Sequence, residues 1–446
     1  MTLKISISGI RGYVPDSLTP EVVLDFSKAF GTYLYFQKPK KKLRRVVIGS
    51  DPRRSSEFIK GIVFSGLLST GCEIIDLGIC PTPTVGIMTK KLLADGGIII
   101  TASHNPLPWN GIKFVRNDGI FLNETQATQL IEIYEKKNFH LNPGGSVKLS
   151  NAGLNYHINR VIQTIKPPKI KLKVAIDCVN GAGSIYAVEL LKKLGCKVIP
   201  VHCNTQLPFP HDPEPIAKNL SDLMQAVKQN NADIGFALDS DADRLAIISE
   251  QGLAIGEELT LALAVKAILG QHKKKKALVV CNLSTTAAIN DVADQYFAKC
   301  ISTKIGEVHV AETLKKLKGL IGGEGNGGVI YPKIGFNRDS LAGIALILSY
   351  MTKNKQPLSK LVAQIPTYFS IKSKIECHSK AESDALIEKI KNRFDPKNLD
   401  LTEGVKVVFA DSWVHVRPSN TEPIVRFIAE ARSLEIAQKL IDQVSA

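Results

Sequence analysis

The stretch Asp239-Ser240-Asp241-Ala242-Asp243-Arg244 sets three carboxylates at i, i+2 and i+4. Crowded together they repel, raising their pKa values or forcing the loop apart, unless a cation joins them. Oxygen-only ligands select a hard divalent ion, Mg²⁺ before Zn²⁺, and leave room for a phosphate oxygen. An EF-hand calcium loop is excluded, because its sixth place needs glycine and Arg244 stands there. The apolar run Ile234 to Leu238 leads straight into these acids, which argues against an ordinary solvated turn.

Three further stretches carry chemistry of other kinds. Thr101-Ala102-Ser103-His104-Asn105-Pro106 follows the strand-like Gly96 to Thr101, and strand ends in open α/β sheets face ligands. Ser103 is either an exposed hydroxyl there or a turn serine that caps a helix; Asn110-Gly111-Ile112-Lys113 follows closely and brings a cation. Gly323-Glu324-Gly325-Asn326-Gly327-Gly328 lacks the spacing of a dinucleotide fingerprint. Its glycines let a ligand approach the backbone, and Glu324 and Asn326 suit sugar hydroxyls, with a plain glycine-rich turn as the alternative. Arg417-Pro418-Ser419-Asn420-Thr421-Glu422-Pro423, with Arg426 beyond, offers arginine forks plus Ser419, Asn420 and Thr421 as an anion cradle. A hydrophilic hairpin turn would leave arginines on both sides unexplained.

The elements that must hold these loops are read from periodicity. Gly96 to Thr101, Val174 to Asp177 and Leu278 to Cys281 each run into a small-residue turn and then a helix-period segment, the pattern of βαβ units. Seams fall at Leu141 to Gly153, at Glu250-Gln251-Gly252 and near Ile365-Pro366. Past the last seam a helix is expected over Ser383 to Phe394, strands over Val405 to Ala410, Trp413 to Val416 and Ile424 to Ala431, and a helix over Leu434 to Val444. The fold expected is α/β, with three similar α/β mixed-sheet domains and a C-terminal α+β domain. The domains span 1–150, 151–253, 254–367 and 368–446.

Composition agrees. The chain has 446 residues, room for roughly two to four domains at ~100 to 200 residues each. With 44% hydrophobic and 22% charged residues it is no disordered chain. No signal peptide is visible at the start, and the apolar stretch Ala342 to Leu348 is far short of the ~18 residues of a membrane span. Eight scattered cysteines without a CxxC pair imply reduced thiols and a cytoplasmic protein. The net charge of +15 gathers in Lys38 to Arg45 and Lys273 to Lys276, expected as solvated loops. Without interleaved aromatics they argue for no nucleic-acid partner.

In this order the four loops resemble the α-D-phosphohexomutase family: a phosphoserine loop, a metal loop, a sugar loop and a phosphate loop. Ser8-Gly9-Ile10-Arg11-Gly12 and Gly49-Ser50-Asp51-Pro52-Arg53 fit it too, so the likeness covers nearly the whole chain. The resemblance implies four domains around a central cleft, one loop from each. It further implies that phospho-Ser103 exchanges its phosphate with a hexose monophosphate through a hexose 1,6-bisphosphate. Mg²⁺ on Asp239, Asp241, Asp243 and phospho-Ser103 would neutralise charge, with Arg11, His104, Lys113 and Arg244 nearby; Lys113 or Arg11 are candidates for assisting proton movement. Arg417, Ser419, Asn420, Thr421 and Arg426 would grip the second phosphate, Glu324 and Asn326 the sugar, and the C-terminal domain would rotate about Ile365-Pro366 to close the cleft. Many relatives have serine at the place of Asn326 and histidine at that of Gly328; with that histidine absent, His309 and Glu307 are candidates for substrate recognition. Glucosamine phosphate is the expected substrate, with mannose or glucose phosphate next and a metal-dependent sugar phosphatase as the distant rival. The partner is then a small phosphosugar, not a membrane, and the protein a monomer or homodimer.

Overall fold

The computed structural model describes residues 3–272, 276–418 and 424–445. Four sheets follow one another along the chain. The first has seven strands in the spatial order Lys4–Ser6, Gly9–Tyr13, Trp109–Arg116, Gly96–Ile100, Arg44–Ser50, Cys72–Ile79, Ser146–Leu149. The second is ordered Leu245–Ser249, Ile234–Leu238, Lys173–Asp177, Lys197–Val201. The third is ordered Lys299–Thr303, Leu278–Asn282, Ile321–Glu324, Gly328–Ile330. The fourth is wholly antiparallel: Phe369–Glu376, Ile424–Ala431, Ser412–Pro418, Val405–Val408, Leu399–Asp400.

One rule places the chemistry. In the first three sheets a strand turns back into an antiparallel neighbour through one of the loops singled out above, and in the fourth the strands that flank such a stretch pair antiparallel. Gly96–Ile100 pairs antiparallel with Trp109–Arg116 around residues 101–108. Ile234–Leu238 pairs with Leu245–Ser249 around 239–244, and Ile321–Glu324 with Gly328–Ile330 around 325–327. Ser412–Pro418 pairs with Ile424–Ala431 across 419–423, which lie outside the described residues. A strand therefore follows the Ser103 loop, where the sequence reading expected a helix. The two other units do continue into helices, Gly183–Leu194 and Ala288–Gln295.

The stretch Leu141 to Gly153, expected as a seam, contains the strand Ser146–Leu149, paired parallel to Cys72–Ile79. All four of its residues are exposed, so no buried apolar face announces it. In the basic run, Lys38 and Lys41 do reach solvent and pair with Asp95, but Arg44 is buried over the Tyr35 ring. Lys273 to Lys275 lie outside the described residues.

The apolar run Ala342 to Leu348 belongs to the helix Ser340–Asn354, buried on every side from Ser340 to Met351. A helix apolar all round has to lie inside, and this one packs against helices of the second and third sheets' layers. Asp339 caps its start by accepting from Leu341 and Ala342 N–H, and it also meets His157 Nε2 at 2.9 Å. His157 Nδ1 in turn meets Thr84 Oγ1 at 2.9 Å, so one buried chain ties the first three sheets' layers together. The C-terminal unit has its own apolar cluster and docks on the third layer through polar contacts. These include Ser284 Oγ to His415 Nδ1 (2.9 Å), Ala287 N–H to Glu430 (2.7 Å) and Lys406 Nζ to the Leu283 carbonyl (2.6 Å). Among the described residues no helix is long and apolar enough to cross a membrane, and all eight cysteines are free.

Candidate active site

Ser103 sits just beyond Gly96–Ile100 with φ of 51°, a left-handed conformation that side chains other than glycine's adopt at a cost. What holds it there is Arg53. Its fully buried guanidinium pairs with Asp51 (3.0 Å) and donates to the carbonyls of Ser103, Asn105, Pro106 and Trp109, filling the inside of the loop. Asp51 also accepts from Thr101 Oγ1 and Ser240 Oγ, and Ser240 donates to the Ser103 carbonyl as well. The serine loop and the acidic loop are thus fastened back to back, and Ser103 Oγ donates to Asp239 Oδ2 at 2.8 Å.

The three carboxylates lie buried with one oxygen each inside a 4.8 Å span. Asp239 Oδ1 accepts from the N–H groups of Asp243 and Arg244. Asp241 Oδ2 accepts from Thr82 Oγ1 (2.6 Å) and Lys113 Nζ (2.7 Å), and Asp243 Oδ2 pairs with Arg338 (2.6 Å). The second oxygens of Asp241 and Asp243 have no hydrogen-bond partner although buried, so the cluster is built for one more positive group. Burial, then repulsion from Asp243 and Asp241, pushes the Asp239 carboxyl well above its ordinary range. An all-oxygen, partly unsatisfied donor set of this kind fits Mg²⁺.

Cations close the remaining sides. Burial works against a charged Lys113, but Asp241 and Asp243 outweigh it and raise its pKa, so the cluster favours the ammonium form. Arg11 donates to Asn105 Oδ1 at 3.0 Å, and Arg244 reaches Glu214 at 3.4 Å. His104 lies 3.5 Å from Ser103 Oγ; burial first, then the charges of Arg244 and Arg11, lower its pKa to about 2 and keep the ring neutral.

A cavity of about 210 Å³ opens beside this cluster, lined in part by Arg11, Lys113, Arg244, Glu307, Glu324 and Asn326. Its organiser is Arg338, which the sequence reading missed. The side chain binds Asp243, Glu324 Oε2 (2.7 Å) and Asn326 Oδ1 (3.3 Å), and lies 3.1 Å from Glu307. The metal loop and the sugar loop therefore share one guanidinium. Glu324 Oε1 is taken by Asn282 and the Gly306 N–H, leaving its position fixed. Glu307 lines the cavity but is held by Arg338; burial pushes its carboxyl up to about 7. His309, on the same helix, is not among the cavity-lining residues.

The glycines of the sugar loop serve the protein itself. A Cβ on Gly325 would stand 1.9 Å from the Glu258 carboxylate, and one on Gly327, at φ 85°, would stand 2.4 Å from the Leu245 carbonyl. On the C-terminal unit, Arg417 lies 3.5 Å from Glu403 and, through space, feels Glu324; burial lowers its pKa. Arg426 is its cross-strand neighbour. Ser419, Asn420 and Thr421 lie outside the described residues.

The layers bring a serine and an acidic triad together beside a polar cavity, and the comparisons make the protein a phosphosugar mutase, an isomerase. The comparisons give its family. Residues 3–141, 155–252 and 256–369 match alpha/beta/alpha domains I, II and III of phosphoglucomutase/phosphomannomutase, and 372–446 match its C-terminal domain. The chain belongs to the phosphoglucomutase/phosphomannomutase family. It is 37% identical over 443 residues to a phosphoglucomutase/phosphomannomutase of Thermococcus kodakarensis, covering 97% of this chain and 96% of that one. It is 35% identical over 442 residues to a probable phosphoglucosamine mutase of Methanopyrus kandleri, covering 98% and 95%. The crystal structure of a phosphoglucomutase/phosphomannomutase family protein from Burkholderia thailandensis superposes with a TM-score of 0.84 at 26% identity, covering 98% of this chain and 96% of that one.

Proposed function

We propose that this chain interconverts glucosamine 6-phosphate and glucosamine 1-phosphate through phospho-Ser103 and a hexose 1,6-bisphosphate, with Mg²⁺ on Asp239, Asp241 and Asp243. The observation that carries this reading is the 2.8 Å hydrogen bond from Ser103 Oγ to Asp239, which joins the nucleophile to the acidic loop. Phosphoryl transfer asks for alignment and charge neutralisation more than for covalent chemistry. Mg²⁺, when bound, offsets the negative charge spread over the transferring oxygens.

In the first half-reaction the bond from phosphorus to Ser103 Oγ breaks as one forms to the free sugar hydroxyl. That hydroxyl gives up a proton and Ser103 Oγ takes one up, so charge balances. After the bisphosphate turns over, the second half-reaction reverses these steps with the other phosphate. Arg11, Lys113 and Arg244 supply standing positive charge around the transferring group. Glu324 and Asn326, fixed by Arg338 and Asn282, read sugar hydroxyls common to both poses. Arg417, Ser419, Asn420, Thr421 and Arg426 hold the phosphate that is not reacting. Rotation of the C-terminal unit about Ile365-Pro366 closes the cleft over the bisphosphate, and its polar docking contacts make such a rotation cheap.

The amino sugar is favoured by Glu307 and Glu324, the two carboxylates that line the cavity and could meet an ammonium, and by the likeness to a probable phosphoglucosamine mutase of Methanopyrus kandleri. A panel of glucosamine, N-acetylglucosamine, mannose and glucose phosphates compared by kcat/KM tests it. Glucosamine phosphate should lead by at least about ten-fold, or 1.4 kcal/mol. A lead for mannose or glucose phosphate would overturn the sugar while leaving the mutase chemistry in place.

A further inference from the structure

A second group of metal-ligating side chains lies in the second layer, apart from the site above. Asp177, His202 and His211 bring one carboxylate oxygen and one ring nitrogen each to within 4.8 Å of one another. Asp177 is buried at the end of Lys173–Asp177, and parallel pairing sets it opposite Val201, so His202 leaves the neighbouring strand at the same sheet end. His211 returns to them on the following loop.

The polar contacts of this group show which ring nitrogens are left for a ligand. His211 Nδ1 lies 2.8 Å from the Asp212 carbonyl oxygen, which only accepts, so Nδ1 carries the proton. Its Nε2 faces Asp177 Oδ2 at 3.2 Å, a contact that a proton on Nε2 or a cation between the two closes. His202 Nε2 faces Asp222 Oδ2 at 3.0 Å and donates to it, which leaves Nδ1 with its lone pair. The two rings meet edge to face with centroids 5.6 Å apart. A proton on Nε2 serves the His211 pair alone, whereas one divalent ion serves both rings and the Asp177 charge together. Asp222 and the Asp212 carbonyl would then secure the outer N–H of each ring, as partners of metal-bound histidines do.

We propose that Asp177, His202 and His211 bind a borderline divalent cation of the zinc type, separate from the all-oxygen loop at Asp239 to Asp243. Two imidazole nitrogens and one carboxylate oxygen are a donor set suited to Zn²⁺, with a position left for water. The side chains of His202 and His211 are 24% and 18% accessible, so an ion can enter. Bound there, it fastens the loop from His202 to His211 onto the sheet and steadies Glu214, the partner of Arg244.

The test is a calorimetric Zn²⁺ titration of metal-stripped protein in saturating Mg²⁺, with Co²⁺ as a visible probe of nitrogen ligation. The wild type should take up one Zn²⁺ per chain by this site and give the intense band of nitrogen-bound, low-coordinate Co²⁺. His202→Gln and His211→Gln should each weaken that binding at least ten-fold, while Asp239→Asn leaves it in place. Mg²⁺-dependent turnover of the histidine variants, measured without Zn²⁺, reports that they fold; the wild-type Co²⁺ band is a readout that needs no variant. Zn²⁺ uptake unchanged in both histidine variants, or a Co²⁺ spectrum of oxygen ligands alone, would overturn the proposal.

Discussion

Arg338 is the residue on which the metal loop and the sugar loop both depend, and its removal has a calculable effect. Its guanidinium meets Asp243 at 2.6 Å, Glu324 at 2.7 Å and Glu307 at 3.1 Å, and none of these side chains is more than 9% exposed. Breaking a buried ion pair by deleting one partner costs about 3 to 5 kcal/mol. Three stranded carboxylates do not triple this, because a buried acid escapes by taking up a proton at about 1.4 kcal/mol per pKa unit. Glu307, already raised to about 7, is the first to do so. The sign follows: acids whose folded pKa is raised keep their stability at low pH and lose it as pH climbs through the folded pKa. Arg338→Gln should therefore melt about 3 to 5 °C below wild type at pH 8, with a smaller gap at pH 5.5. Arg338→Lys, a point charge without the fork, should recover only part of it. Turnover of Arg338→Gln should drop at least about a hundred-fold, since Glu324, Asn326 and Asp243 all lose their common anchor. Calorimetric melting at the two pH values, with Mg²⁺ held constant, and kcat/KM at pH 8 make the comparison. Wild-type melting and wild-type kcat/KM in Arg338→Gln at pH 8 would refute the reasoning.

Ser103→Ala should abolish turnover with the fold intact, and intact-mass analysis of wild type should find a phosphate-sized increment on Ser103; full activity in the alanine variant would remove Ser103 from the mechanism. Chelation should stop turnover and added Mg²⁺ restore it, whereas Asp241→Asn, which alters a ligand and unbalances Lys113, should cost at least about a hundred-fold even at high Mg²⁺. Burial, opposed by Lys372, raises the Glu258 carboxyl from 4.5 to about 8, so wild type loses stability as pH rises through that window. Relative to wild type, Glu258→Gln should gain by at most about 1.4 kcal/mol per pH unit between about pH 5 and 8, Glu258 keeping some solvent access. A gap between the two that does not change with pH would count against a raised Glu258.

The loops were legible in the sequence because each joins an apolar run to a dense set of polar residues. Ile234–Leu238 before the three acids and Gly96–Ile100 before Ser103 emerge as strands with the expected bounds to within a residue. The C-terminal strands and closing helix also fall where periodicity set them, and the first helix, Lys380–Lys391, starts three residues early; Phe369–Glu376 and the two-residue strand Leu399–Asp400 were not expected. In Phe369–Glu376, lysines at 372 and 374 mask the alternation of an edge strand, though Ile371 and Ile375 were a usable signal. Arg53 and Arg338 escaped for a different reason. Arginine reads as a surface residue, and the burial of Arg53 depends on the distant Ser103 to Trp109 loop carbonyls besides nearby Asp51, that of Arg338 on distant Asp243 besides Glu307 and Glu324. A charged Arg338-Asp339 pair opening an all-apolar helix was the one local hint.

The most direct test follows the phosphate. Hexose 1-phosphate carrying labelled phosphorus, incubated with the enzyme and Mg²⁺, should give hexose 6-phosphate with the label shared between sugar and Ser103 and with no stoichiometric inorganic phosphate. Release of the label mainly as inorganic phosphate, or its absence from Ser103 throughout turnover, would contradict the account.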